Sequence, residues 1–128
     1  MPRKAFSSPG AAAIGPYSHA VESGRMVYFS GQTPLDPATG RLVEGDIAAQ
    51  TEQCFKNLFA VLSASGLQPD DVVKVNVYLV DMADFTAMNA VYSRQFTQPF
   101  PARTTIGVAA LPMNARVEIE MIARKSKA

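Results

Sequence analysis

The spacing of apolar residues changes period along the chain, and each change marks an element. Ile47, Thr51, Cys54, Phe55, Leu58 and Leu62 fall on one face of a 3.6-residue repeat, which predicts an amphipathic helix. Asp46 is placed to cap its first turn, and Gly66 to stop it. A second helical stripe runs through Phe85, Met88, Asn89, Tyr92 and Phe96. Between the two stripes, Val72 to Val80 reads VVKVNVYLV, β-branched and alternating, hence a strand. Tyr17 to Glu22 and Met26 to Ser30 read as strands joined by a hairpin turn at Ser23-Gly24. Thr104 to Ala109 and Arg116 to Ala123 are two more, around the turn Leu111-Pro112-Met113-Asn114, and a short extra strand is expected near Phe6. Thr33 to Gly40 is rich in turn formers and reads as a loop.

The order ββ-α-β-α-ββ predicts an α+β domain: one mixed sheet with two helices on one face. The other face carries apolar residues at alternating strand positions and has no helix left to cover it. That face is expected to pack against another subunit.

Composition narrows the class. The 128 residues suit one domain spanning 1–128, and 48% hydrophobic against 18% charged residues supports a packed core. Twelve Lys and Arg against eleven Asp and Glu leave a net charge of +1, too little to draw in nucleic acid or anionic lipid. One cysteine, Cys54, excludes an internal disulfide and suits a reducing compartment. One cysteine and a single histidine, His19, are too few for the usual zinc site, and a Ser-His-Asp or Cys-His device would have to use His19, which no recognisable motif pairs with a partner. Ala11 to Ile14 is too short for a signal-peptide core, and no run reaches a membrane span. The reading is therefore cytoplasmic, with no zinc site of the usual kind.

Several residues could carry chemistry. Glu118 and Glu120 alternate with Val117, Ile119 and Met121, so both carboxylates share one face of a strand. They are either a solvent-facing edge or the wall of a cleft that positions water. Arg103 follows Phe100-Pro101-Ala102. A guanidinium fixed behind a proline can grip a carboxylate through two parallel hydrogen bonds; the plainer alternative is a weak surface ion pair. Tyr17 is expected at a strand start, half-buried with a wet hydroxyl. Ser30-Gly31 ends a strand, and its glycine admits a close approach to the backbone. Asn89 lies on a mostly apolar helical stripe and needs partners there. His19 reads as an ordinary strand residue and Cys54 as inert core. Pro2 would become an N-terminal proline on loss of Met1, the base of the tautomerase superfamily, but Arg3-Lys4 stand where that superfamily has a hydrophobic strand.

Taken together, Ile14-Gly-Pro-Tyr-Ser18, Ser30-Gly-Gln32, Gln50-Thr-Glu-Gln53 before Asn57-Leu58, Met88-Asn-Ala-Val-Tyr92 and Pro101-Ala-Arg103…Leu111-Pro112…Val117-Glu-Ile-Glu120 resemble the Rid family, also called YjgF or L-PSP. The resemblance covers nearly the whole chain, and the last block is its most specific part. It implies a chorismate-mutase-like fold and a homotrimer with a central β-barrel-like core and clefts between subunits. It implies hydrolysis of 2-imino and enamino acids, such as 2-iminobutanoate and 2-iminopropanoate (the imine form of 2-aminoacrylate), to 2-oxo acids and ammonia, with no cofactor or metal needed. By position, Arg103 matches the carboxylate-binding arginine, and Glu118, not Glu120, the glutamate that orients water. Tyr17, Ser30, Gly31, Asn89 and Thr105 match residues of the cleft. Thr105 stands where many members have cysteine, and Thr104 replaces the usual Ser, Ala or Cys. The alternatives within this resemblance are a deaminase of a specialised intermediate such as an aminomuconate, a non-enzymatic trimer that binds 2-oxo acids, and an endoribonuclease. The neutral charge and the 9% aromatic content do not favour the last.

Overall fold

The helix predicted after Asp46 forms as α1 (Ile47–Ala64). The Asp46 side chain accepts from the Ala49 backbone N–H at 2.9 Å, and Gly66 takes φ of 81° just beyond the end. The inward stripe of α1 buries Cys54, Phe55, Leu58, Val61 and Leu62. The second helix, α2 (Phe85–Tyr92), stops one turn short of Phe96, yet Phe96 still reaches the core. Phe55, Phe59, Tyr92 and Phe96 meet there with ring centroids 5.4–5.9 Å apart, mostly tilted or edge-on as ring quadrupoles prefer.

This computed structural model describes residues 3–11 and 15–126; Pro2 and Ile14 lie outside them. Six strands make one mixed sheet: β1 (Lys4–Phe6), β2 (Ala20–Ser23), β3 (Met26–Gln32), β6 (Val72–Leu79), β7 (Ala102–Gly107) and β8 (Val117–Arg124). Their order is β1-β2-β3-β8-β6-β7, antiparallel except for the β6–β7 pair. The remaining strands, β4 (Leu35–Asp36) and β5 (Arg41–Leu42), form a small hairpin inside and just after the stretch read as a loop, with Gly40 at φ of 72° in its turn. Two-residue strands leave no periodicity in a sequence, which is why the hairpin was invisible there.

Period-two alternation assigns the faces. Val27, Phe29, Val75, Val77, Leu79, Val117, Ile119, Met121 and Ala123 point to the helices and are buried. Their alternates, including Tyr28, Asn76, Tyr78, Glu118, Glu120 and Ile122, occupy the opposite face, which the chain's own helices leave open as expected. Exposed Tyr28 and Ile106 lie on it.

Three of the boundaries that differ from the sequence reading bear on the site. β2 starts at Ala20, not Tyr17, because Gly15 (φ of 115°) and Pro16 turn the chain before it joins the sheet. β3 runs two residues past Ser30, to Gln32. β7 starts at Ala102, two residues before the Thr104 of the sequence reading, and Arg103 lies at the start of the strand.

Candidate active site

β8 carries the two glutamates, and it runs between β3 and β6 in the interior of the sheet. A solvent-facing edge is therefore the wrong reading of the Glu118-Glu120 pair. On the open face the two carboxylates differ. Glu120 is tied down: its Oε1 accepts from Asn76 Nδ2 at 3.2 Å and from the Tyr78 hydroxyl. That bond, then burial, pushes the Tyr78 pKa up to about 12. Glu118 is half-buried, and burial followed by the neighbouring Glu120 charge raises its pKa above the ordinary carboxylate range.

The room for Glu118 comes from β3. Phe29 pairs with Met121 and Gln32 with Ile119, so Ser30 and Gly31 together oppose the single residue Glu120. This is a β-bulge, which re-aims the strand and leaves an unpaired residue beside the carboxylates. A Cβ on Gly31 would lie 2.3 Å from Glu118 Oε2, so the glycine leaves room for the carboxylate in its present position. Ser30 Oγ donates to the Ser18 carbonyl at 2.6 Å and holds the bulge to the segment before β2. Tyr17, on that segment and 45% exposed, stands at the rim of the resulting pocket. It is not the half-buried strand residue expected from sequence. The pocket has about 390 Å³ of accessible space, and Thr33, Leu35, Pro112 and Met113 complete its walls. Sequence reasoning missed these four. Met113 and Asn114 have φ of 58° and 60°, left-handed values that carry no sequence signal in a methionine.

Arg103 sits elsewhere. Register with β6 sets Arg103 beside Val75 and Thr105 beside Val77, so both point to the helix side of the sheet. Arg103 Nη1 donates to Asn89 Oδ1 at 2.7 Å. Its guanidinium lies 4.6 Å from the Tyr92 ring centroid and 5.5 Å from that of Phe85. No acidic side chain among the described residues pairs with it. This is not a weak surface ion pair: one polar partner and two aromatic faces fix a cation in partial burial. Asn89 on the apolar stripe thus has a partner. Arg103, Asn89, Tyr92, Ser93, Phe100 and Pro101 line a pocket of about 260 Å³. Thr105 lies beneath, its Oγ1 buried without a hydrogen-bond partner.

The residues marked in the sequence therefore fall into two groups. Tyr17, Ser30, Gly31 and Glu118 share one pocket. Arg103 and Asn89 share another, with Thr105 buried on the same side of the sheet. Within one chain the two groups lie on opposite faces of the sheet. His19 is buried just ahead of β2, with Nδ1 accepting from the Ser8 N–H at 3.2 Å. Cys54 is fully buried, and burial, with a smaller contribution from Glu118, pushes its thiol pKa up. No cluster of three or more His, Cys, Asp or Glu among the described residues could hold a metal, and no helix there is long and apolar enough to cross a membrane.

The sequence model of the family described as Endoribonuclease L-PSP matches residues 7–125. A 2-iminobutanoate/2-iminopropanoate deaminase from Dermatophagoides farinae is 49% identical over 122 residues, covering 94% of this chain and 95% of that one. Among solved structures, RidA from the Antarctic bacterium Psychrobacter sp. superposes with a TM-score of 0.91 at 46% identity, over 95% of this chain and 99% of that one. E. coli TdcF with bound serine superposes with a TM-score of 0.90 at 37% identity, over 96% and 99%. With fold, motifs and near-full-length identity agreeing, this chain belongs to the Endoribonuclease L-PSP family, the Rid family.

Proposed function

We propose that this protein hydrolyses small 2-imino and enamino acids, 2-iminobutanoate and 2-iminopropanoate among them, to 2-oxo acids and ammonia. The observation that carries the proposal is Arg103: a partly buried guanidinium, held by Asn89 and the Tyr92 ring, facing a pocket with no carboxylate of its own. Such a site is complementary to a small carboxylate and lacks one. The deaminase relatives support the reaction. The serine in TdcF supports a ligand of amino-acid size.

The chemistry asks little more of the protein. An imine carbon is already electrophilic, so a fixed anion anchor and a positioned water suffice. Glu118 takes one proton from water as the water oxygen bonds to C2 and the C=N π pair moves to nitrogen. The glutamate returns that proton to the nitrogen of the tetrahedral adduct. Glu118 then takes the hydroxyl proton as C=O forms and passes it to the amino nitrogen as the C–N bond breaks, so the nitrogen leaves as neutral ammonia. A carboxyl whose pKa is raised by burial is suited to both giving and taking. The scheme uses no metal or cofactor. Thr104 and Thr105 are then departures that tune rate or preference, not the anchor.

Since Arg103 and Glu118 face opposite sides of one chain's sheet, a substrate touching both has to lie between two chains. This reading joins the open sheet face to the homotrimer: the faces pack into a barrel-like core, and each cleft takes Arg103 from one subunit and Glu118 from its neighbour. A single unpaired Cys54 fits a cytoplasmic enzyme. The test is a coupled assay in which a pyridoxal-phosphate threonine dehydratase generates 2-iminobutanoate and 2-oxobutanoate is followed. Wild type is expected to accelerate its appearance and Arg103→Ala is not. No acceleration by wild type would reject the activity, and equal acceleration by the variant would reject the anchor.

A further inference from the structure

Gln53 and Asn57 are among the residues through which the family resemblance is read, yet neither lines a pocket of the site. Asn57 is 0% exposed, near the middle of α1. A buried amide is destabilising unless its hydrogen bonds are made, and here they are. Asn57 Nδ2 donates to the Leu35 carbonyl at 2.8 Å and to the Thr33 carbonyl at 3.3 Å. Asn57 Oδ1 accepts from Gln53 Nε2, one turn earlier, at 2.9 Å. The two carbonyls need donors and the Gln53 amide needs an acceptor, so the Asn57 amide has one orientation that satisfies all.

The two carbonyls belong to the wall of the Glu118 pocket. Thr33 and Leu35 both line it, directly after the Ser30-Gly31 bulge. Between them stands Pro34, which has no N–H to anchor the segment. Its backbone ties include Leu35 N–H to the Thr33 carbonyl, Val43 N–H to the Pro34 carbonyl and the pairing of Leu35 with Leu42. These ties are local and do not reach the helix layer; the Asn57 bonds do.

We infer that Gln53 and Asn57 are positioning residues: a two-amide relay through which α1 sets the Thr33–Leu35 wall of the pocket. The effect on turnover rests on the deaminase reading above; the effect on the wall does not. The relay touches no reacting atom, so it acts on how substrate is held, not on the chemical step.

Gln53→Glu is the test. An ionised carboxylate has no donor for Asn57 Oδ1, so two acceptors face each other and the Asn57 amide loses its orientation. Asn57→Leu removes the relay outright but risks the fold, whereas Gln53 is only partly buried. The Gln53→Glu variant is expected to raise KM for the imine roughly three- to tenfold, the range that one neutral hydrogen bond spans, with kcat within about twofold. Amide hydrogen exchange at Leu35 and Val43 is expected to quicken relative to that of the β6–β8 ladder. Unchanged KM with unchanged exchange overturns the inference. So does a fall of kcat and thermal stability together at constant KM, which marks a merely structural role. If wild type turns over no imine, the activity reading fails, and the exchange rates alone decide the relay.

Discussion

Replacing Gly31 by alanine sets a methyl group where the Glu118 side chain now lies. The added Cβ would be 2.3 Å from Glu118 Oε2, 3.0 Å from Cδ and 3.2 Å from Cγ, whereas ordinary contact begins near 3.4 Å. The carboxylate therefore has to retreat by about 1 Å. A displacement of that size at a reacting group costs about 10² in rate, or about 2.7 kcal/mol of barrier. Stability changes less, by about 1 kcal/mol or under, because a half-exposed glutamate can swing aside where a core side chain cannot. Gly31 has no left-handed φ, so the backbone accepts alanine. The assay is kcat for imine hydrolysis in Gly31→Ala, Glu118→Ala and the double variant, alongside their melting temperatures. If Gly31 acts by making room for Glu118, the double variant is no slower than Glu118→Ala alone, because the two changes share one cause. Wild-type kcat in Gly31→Ala, or losses that multiply in the double variant, would refute the reasoning.

Other outcomes follow from the same geometry. Because burial and the Glu120 charge raise the Glu118 pKa, the folded chain binds that proton more tightly than the unfolded one. This contribution favours the fold below the ordinary carboxylate pKa and is lost as pH rises through the raised value. Glu118→Gln is therefore expected to melt higher than wild type at neutral and alkaline pH, with the difference vanishing below about pH 4; a destabilised variant at neutral pH would contradict this. Wild-type kcat is expected to fall on the acid side as Glu118 takes up its proton, in a pH–rate profile. Arg103→Lys keeps the charge but loses the planar fork, and is expected to lower kcat/KM by roughly 10–100-fold while circular dichroism stays unchanged. The buried, high-pKa Cys54 thiol is expected to resist alkylation in the native protein and to react on unfolding.

Much of this was legible in the residues themselves. Helix α1 announced its face, its Asp46 cap and its Gly66 stop, because capping and 3.6-residue spacing are local. Alternation along β8 placed Glu118 and Glu120 together for the same reason. What the residues could not say depends on long-range pairing. That β8 is an interior strand follows from its partners β3 and β6, not from Val117 to Met121. That Arg103 points away from Glu118 follows from its register with Val75 on β6. The bulge at Ser30-Gly31 is visible only against Met121 and Ile119 on the partner strand. The left-handed Met113 and Asn114, and the grip of Asn57 on Thr33 and Leu35, are set by tertiary contacts, which override local preference.

The most direct test of the account mixes two inactive proteins. Arg103→Ala and Glu118→Gln are each expected to fold, assemble and leave imine hydrolysis unaccelerated. Unfolded together in equal amounts and refolded, they can form a cleft with Arg103 from one chain and Glu118 from another. In the proposed homotrimer, random co-assembly leaves about a quarter of all clefts with both groups intact, so activity is expected to return to roughly that share of wild type. Mixed assemblies that form and stay inactive would contradict a site shared between neighbouring chains.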